Sequence, residues 1–181
     1  MESAIERLRV TAATANALAL RSEQFDLRSE TEALPLDLRA WFEPVTLANW
    51  VEDVIRKLRA QEPVRTGEIG SMDDSGRTIL GMLSFSYLIG IFASSEIARD
   101  ARMNTPLRLL SGGIFPFRQE LSRFRRCHRA LMMAVLFEVF VRAASEKLGV
   151  RRMRGGRELH EQMVEEASLR LNIACQLDHG D

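Results

Sequence analysis

The chain has 181 residues, of which 46% are hydrophobic and 28% charged, and its formal net charge is zero. This composition is ordinary for a soluble globular protein of one domain, with helical extensions as an option, and it allows a sizeable core. The two cysteines, Cys127 and Cys175, are too few for a disulfide framework and are typical of reduced thiols in the cytoplasm.

The N-terminal residues do not have the pattern of a signal peptide, because Glu2, Glu6, Arg7 and Arg9 interrupt any apolar run. The longest uncharged apolar stretch, 79–93, has 15 residues. A membrane-spanning helix needs about 20 residues. We therefore expect a buried helix there, no membrane partner and a cytoplasmic location, with nucleoid association if the protein binds DNA.

Charge is distributed unevenly along the chain, although it sums to zero. Residues 107–157 contain 12 Arg and Lys against three acids, whereas residues 158–181 contain one Arg against six acids. A basic block beside acidic segments indicates an anionic partner such as nucleic acid. Internal neutralisation is the alternative, in which the acidic C-terminal helix folds onto the basic block.

Helical periodicity dominates, and no segment keeps the alternation of a β-strand. We predict an all-α fold, namely a multi-helix orthogonal bundle with a helix-turn-helix-like core and helical N- and C-terminal extensions. The predicted helices cover residues 2–21, 47–61, 77–92, 94–103, 106–110, 116–148 and 157–177. Residues 34–44 are expected to form an extended arm that packs Trp41 and Phe42, and 62–76 to form a loop.

The predicted helix from residue 116 to residue 148 contains the most informative pattern. An apolar face follows 4-3-4-3-4 spacing through Phe117, Leu121, Phe124, His128, Leu131 and Val135. An adjacent face has Arg118, Ser122, Arg125 and Arg129, and it is extended by Arg123 and Arg126. The first turns are thus cationic on one side, whereas the second half is apolar enough to be surrounded by other helices.

A cationic helix start of this kind favours DNA as the partner. The planar fork of arginine contacts phosphates and guanine edges, and a helix N-terminus favours anions. A short helix, a glycine turn and a basic helix also resemble a helix-turn-helix arrangement. The candidate DNA-binding residues are Arg108, Arg118, Ser122, Arg123, Arg125, Arg126 and Arg129. A plain solvated face is the alternative for the same pattern.

No pattern for catalysis, for a metal or for a cofactor is present, and we predict none of the three. Cys127 and His128 are adjacent, which is not metal-ligand spacing, and His128 reads better as a histidine at the edge of the core. The acidic pairs Asp73-Asp74 and Glu165-Glu166 are sequence neighbours and do not converge. Ser94 or Ser95 is interpreted as the cap of the next helix and not as a nucleophile, and no glycine-rich phosphate loop follows a strand.

The stretch YLIGIFASSEIARDARMNTPLRLLSGGIFPFRQELSRFRRCH, residues 87–128, resembles the N-terminal domain of InsH-like insertion-sequence transposases of the DDE class. The shared positions are Tyr87, Gly90, Ser94, Ser95, Ile97, Leu110, Gly112, Gly113, Pro116, Ser122, Arg123, Phe124, Arg125, Arg126 and His128. LPLDLRAWF also resembles the family's leader segment, so the similarity covers roughly residues 34–145. The family usually has Pro-Asp-His or a similar trio followed by Arg-Thr-Ile, whereas this chain has Pro116-Phe117-Arg118-Gln119-Glu120-Leu121 and lacks the polar trio.

The resemblance implies a transposon-derived domain for DNA binding or assembly, present as a truncated remnant, one frame of a split element or a domesticated regulator. Family members carry a downstream RNase H-like domain whose three acidic residues bind two metal ions. The 24 residues after Arg157 cannot supply such a domain, so we expect no enzymatic activity.

The sequence therefore predicts a helical extension over 1–33, a transposase N-terminal-like domain over 34–148, and a basic linker with an acidic helix over 149–181. The expected function is non-catalytic binding of double-stranded DNA, including transposon ends, with a role in regulating transposition. The alternative is an interaction module in which the basic helix meets an acidic protein. The partner would then be a second copy of the chain or a full-length transposase.

Overall fold

A computed structural model describes residues 34–61, 72–148 and 156–179. These ranges contain seven α-helices and one turn of 3-10 helix, Leu38–Ala40, and no β-strand, which confirms the all-α prediction. The α-helices are α1 (Pro44–Gln61), α2 (Asp74–Leu88), α3 (Ser94–Asp100), α4 (Thr105–Ser111), α5 (Arg118–Cys127), α6 (Arg129–Leu148) and α7 (Gly156–His179). The helix predicted over 2–21, most of the loop predicted over 62–76, and residues 149–155 of the linker lie outside the described residues.

Two helices begin earlier than their hydrophobic periodicity predicts. Helix α1 starts at Pro44, because proline has a fixed φ and lacks an N–H that a first helical turn would leave unpaired. Helix α2 starts at Asp74 because the Asp73 side chain accepts a hydrogen bond from the Gly76 N–H at 2.7 Å. The loop prediction therefore extended too far at its C-terminal end, since polar residues at 73–77 form the first turn of α2.

Helix α2 is the centre of the core. Every residue from Ile79 to Leu88 is buried, as the apolar stretch over 79–93 predicts. Helices α1, α4, α5 and α6 pack around it, and α7 packs along α6. Buried side chains on α6 and α7 complete the core, among them Met132, Val135, Leu136, Val139, Phe140, Met163, Ala167, Leu171 and Ala174.

The predicted continuous helix from 116 to 148 is wrong, because the helix is interrupted at His128. His128 has φ −119° and ψ 34°, outside the helical region, and separates α5 from α6. Its N–H still donates to the Phe124 carbonyl at 2.9 Å, and its carbonyl accepts from the Met132 N–H at 3.0 Å. The interruption lets α5 pack on α3 while α6 packs on α7 and α1.

The N-terminal arm packs onto the helical core through its backbone and its aromatic side chains. Asp37 pairs with Ile89 in an isolated antiparallel bridge beside Gly90, whose φ of 76° favours glycine. The Phe42 ring lies 4.8 Å from the Trp50 ring of α1, centroid to centroid. The arm therefore packs Phe42 against the protein as the sequence predicts.

Candidate nucleic-acid interface

Helices α4 and α5 are joined by a turn whose geometry follows from its residues. The Asn104 side chain caps α4 by accepting from the Leu107 N–H at 3.3 Å. Gly112 and Gly113 end the helix with φ values of 55° and 88°, a left-handed conformation that side chains rarely adopt. Helix α5 then begins after Phe117, whose N–H donates to the Glu120 carboxylate at 2.7 Å. The turn predicted at 111–113 thus positions the start of α5.

One side of α5 is cationic and exposed, and the other belongs to the core. With about 100° of rotation per residue, Arg118, Arg126 and Arg123 fall within an arc of about 140°. All three are exposed, and half-buried Ser122 lies between them on the same arc. Leu121 and Phe124 on the opposite side are buried. Within the described ranges, neither Arg123 nor Arg126 makes an ion pair or a hydrogen bond.

Arg125 does not belong to this surface, which corrects the prediction that it contacts DNA. Its side chain is only 1% exposed, and its Nη2 lies 2.8 Å from the Asp178 Oδ2 in the last turns of α7. Nη2 also donates to the Ser94 Oγ, and Ser94 in turn donates to both Asp178 oxygens, through its N–H at 3.2 Å and its Oγ at 2.9 Å. Arg125 therefore ties α5 to α3 and α7 and cannot reach a phosphate outside.

The capping role predicted for Ser94 is also wrong. Ala93 occupies the N-cap position of α3, and Ser94 is the first helical residue, fully buried. Its hydroxyl is used to join Arg125 and Asp178 instead of capping its own helix.

Arg129, the first residue of α6, is half-buried and partly engaged by α7. Its Nη2 donates to the Asn172 Oδ1 at 2.8 Å, and its Nη1 lies 3.9 Å from the Cys175 Sγ. The contacts of Arg125 and Arg129 show that the C-terminal helix does fold onto part of the basic block. Internal neutralisation by α7 is therefore correct for Arg125. The side chains of Arg108, Arg118, Arg123 and Arg126 are exposed.

A small polar cavity of about 40 Å³ lies where α5 meets the end of α7. It is lined by Ser122, Arg125, Arg126, Cys175 and Asp178. Since a water molecule needs about 10–15 Å³, the cavity has room for a few waters and is too small for a substrate. Such waters would satisfy the buried Nε and Nη1 of Arg125, which have no partner in the described part of the chain.

Tyr87 lies beside Arg125 on the inner side of the same cluster. The Arg125 guanidinium carbon is 5.7 Å from the centroid of the Tyr87 ring. Burial raises the pKa of Tyr87 well above its ordinary value, although the positive charge of Arg125 acts in the opposite direction. The neutral phenol is therefore the stable form inside the protein.

Sequence reasoning missed a second buried arginine, Arg170 of α7. Arg170 is fully buried and pairs with Glu166 at 3.0 Å. Its other nitrogens donate to the carbonyls of Tyr87 at 3.1 Å and of Pro35 at 2.7 Å, so it joins three parts of the chain. The signal was available in the sequence, since Glu166 and Arg170 are four residues apart on the apolar side of α7, where an unpaired charge would be costly.

Exposed apolar side chains are concentrated in the segment that precedes the cationic arc in the sequence. Seven large apolar side chains are exposed in the described residues, and five of them fall within residues 103–117, namely Met103, Leu109, Ile114, Phe115 and Phe117. Phe117 is 70% exposed and Met103 is 83% exposed. The Arg102 guanidinium lies 5.9 Å from the Phe115 ring centroid. Exposed apolar side chains concentrated in this way mark an interaction surface.

Among the described residues, no group of three or more His, Cys, Asp or Glu side chains is placed to hold a metal ion. No helix in those ranges is long and apolar enough to span a membrane. Comparisons with protein-family models, with curated proteins and with solved structures gave no match.

Proposed function

We propose that this protein binds double-stranded DNA, without catalysing a reaction on it, through the exposed face of α5. The observation that carries the proposal is the placement of Arg118, Arg123 and Arg126 on one exposed arc. Arg118 and Arg126 are eight positions apart, which corresponds to about 12 Å along the helix axis. This spread allows contacts to more than one phosphate of a DNA strand. Arg108, in the last turn of α4, is also exposed, and we include it as the fourth cation of the proposed interface.

The motif resemblance described above supports the same proposal and specifies its context. A transposase N-terminal domain would bind transposon ends or assemble with a full-length transposase, and a free-standing copy would regulate transposition. A cytoplasmic location with association to the nucleoid follows if DNA is the partner. The proposed transposon context rests on the residues that this chain shares with the transposase family around Gly112, Gly113 and the SRFRR segment.

The proposal is tested by fluorescence anisotropy of a labelled DNA duplex, titrated with protein at salt concentrations from about 50 to about 200 mM. Each phosphate contact contributes about 0.9 to the slope of log affinity against log salt, so four arginines give a slope of about −3.6 and an affinity loss of about 150-fold. In the double variant Arg123→Ala/Arg126→Ala, the slope falls to about −1.8 and the loss to about 12-fold.

A matched control removes the same charge from another helix. Arg56 and Arg59 are exposed on α1, which packs mainly on α2, α4 and α6. Arg56→Ala/Arg59→Ala should keep the wild-type slope. Equal slopes for the α5 variant and the wild type, with both proteins folded by circular dichroism, would remove the basis for the proposal.

A second candidate function is favoured by the exposed apolar residues at 103–117. An acidic protein, or a second copy of this chain, would cover these residues, and the arginines around them would select the acidic side chains of the partner. Light scattering at several protein concentrations distinguishes the two candidates. A mass that rises with concentration in the absence of DNA supports the interaction module, whereas a constant monomer mass with salt-sensitive DNA binding supports the DNA-binding function.

A further inference from the structure

We infer that Ile114, Phe115 and Phe117 form an apolar wedge that inserts at a base step of the DNA, so that the preferred target is a deformable duplex. The inference rests on the proposed DNA-binding function and specifies the DNA that the same surface selects. Proteins that bend DNA often insert Phe, Ile, Leu or Met between base pairs and hold the flanking phosphates with arginine. The α4–α5 segment has both components next to each other.

The three side chains are exposed on a backbone that is itself held in place. The Ile114 N–H donates to the Ser111 carbonyl at 2.8 Å, and the Phe117 N–H is bound by Glu120. Pro116, between the two phenylalanines, is buried. The segment is thus anchored at three points while Phe115 and Phe117 are 41% and 70% exposed. A rigid apolar projection loses little conformational freedom on insertion.

Charge around the wedge identifies DNA as the occupant that fits best. Residues 101–118 contain three arginines and no acidic residue. The nearest acid along α5, Glu120, is bound to the Phe117 N–H. A second copy using the same face would oppose arginine to arginine, which disfavours a symmetric dimer. The charge of this surface therefore favours an anionic partner.

The distribution of apolar residues favours DNA over an acidic protein. Beyond Phe117, the exposed residues along α5 are polar, acidic or cationic, apart from the thiol of Cys127. Apolar contact is therefore confined to one end of a cationic helix. This matches a duplex, in which one opened base step offers an apolar face and the neighbouring strand offers phosphates.

The test uses the full-length protein and duplexes with 2-aminopurine at a central TA step, or within an A-tract of equal length. TA steps unstack easily and A-tracts are stiff. We expect wild type to bind the TA duplex about tenfold more tightly than the A-tract duplex and to increase the 2-aminopurine fluorescence. Phe117→Ala should lose both the preference and the fluorescence change while keeping the salt slope. Val45→Ala, at a 50% exposed position on α1, is the matched control and should behave as wild type.

The outcomes separate the inference from the function on which it rests. Salt-sensitive binding with equal affinity for both duplexes and unchanged fluorescence would overturn the wedge and leave DNA binding intact. No binding of wild type to either duplex would overturn both. A concentration-dependent mass that Phe117→Ala abolishes, together with DNA binding that Phe117→Ala leaves unchanged, would assign the apolar residues to a protein contact and overturn the wedge.

Discussion

Arg125 and Arg126 are neighbours in the sequence, but we expect replacement by alanine to affect different properties, namely stability for Arg125 and the proposed DNA binding for Arg126. Arg125 is 1% exposed and paired with Asp178, which is 12% exposed. Removing one partner of a buried ion pair costs about 3–5 kcal/mol, because the other charge is left without compensation. We expect a value of about 3 kcal/mol for Arg125→Ala, at the low end of this range, because Asp178 lies in the last turns of α7 and can turn toward water.

For a chain of this size, a loss of about 3 kcal/mol lowers the melting temperature by about 6–12 °C. The measurement is urea and thermal unfolding followed by circular dichroism, at a salt concentration that is the same for every variant. Exposed Arg126→Ala should stay within about 0.5 kcal/mol of wild type in the same assay. Its effect should appear instead in the salt dependence of DNA binding.

The conservative variant Asp178→Asn tests the ion pair from the other side. Asparagine keeps an oxygen that accepts from Arg125 and Ser94 but removes the negative charge. Because the guanidinium of Arg125 is 1% exposed and would be left without a counter-charge, we expect a loss at least as large as for Arg125→Ala, about 3 kcal/mol or more. If Arg125→Ala left stability within about 0.5 kcal/mol of wild type and instead lowered DNA affinity, the reasoning from burial would be refuted and Arg125 would belong to the DNA-contacting face.

Two further predictions concern Tyr87 and the glycine turn. Because burial raises the pKa of Tyr87, the unfolded chain ionises first, so this residue's contribution to stability is kept below about pH 10 and is lost as the pH rises above it. The Tyr87 hydroxyl makes no hydrogen bond to the described residues, so Tyr87→Phe removes the ionisable group without removing such a bond. The variant should flatten the alkaline decline in urea midpoints. An unchanged decline would contradict the assignment. At the turn, Gly113→Ala should lower the free energy of unfolding in urea by about 1 kcal/mol or more, and Gly112→Ala should lower it by less. The φ of Gly113, 88°, is further from the left-handed minimum near 57° than the φ of Gly112, 55°. No atom would crowd a Cβ at either position, so equal costs would show that backbone conformation does not decide them.

The helices could be predicted from the sequence because the apolar residues of this chain are strongly periodic. The run from Ile79 to Leu88 is apolar on every side, which only a central helix can accommodate, and it is indeed fully buried. The glycines at 112 and 113 likewise predicted a turn that requires left-handed φ values. A buried helix and a glycine turn are determined by neighbouring residues, so a single sequence is enough to predict them.

The burial of Arg125 could not be predicted, because it depends on neighbours that are distant in the sequence. Arg118 and Arg125 are separated by only about 20° around α5, so periodicity places them on one face. Whether that edge faces water is decided by Ser94 of α3 and Asp178 of α7, which lie 31 and 53 positions away from Arg125 in the sequence.

The interruption at His128 has a similar origin. The residues from 117 to 135 have a helical pattern throughout, so nothing local marks the end of α5. The different packing partners of α5 and α6 require the change in direction. The cationic arc survives this correction because Arg118, Arg123 and Arg126 all precede the break.

The contacts of Arg170 also determine when this domain can be completed during synthesis. Its guanidinium bonds to Pro35, 135 positions earlier in the chain, and to the end of α2 at Tyr87. Until α7 has left the ribosome, these carbonyls have no arginine to bind and α6 lacks the helix that covers it. Because such distant contacts form late and slow folding, the apolar surface of α6 that α7 covers would stay exposed on the nascent chain until α7 emerges. Chaperones that recognise apolar segments would therefore have access to α6 during that interval.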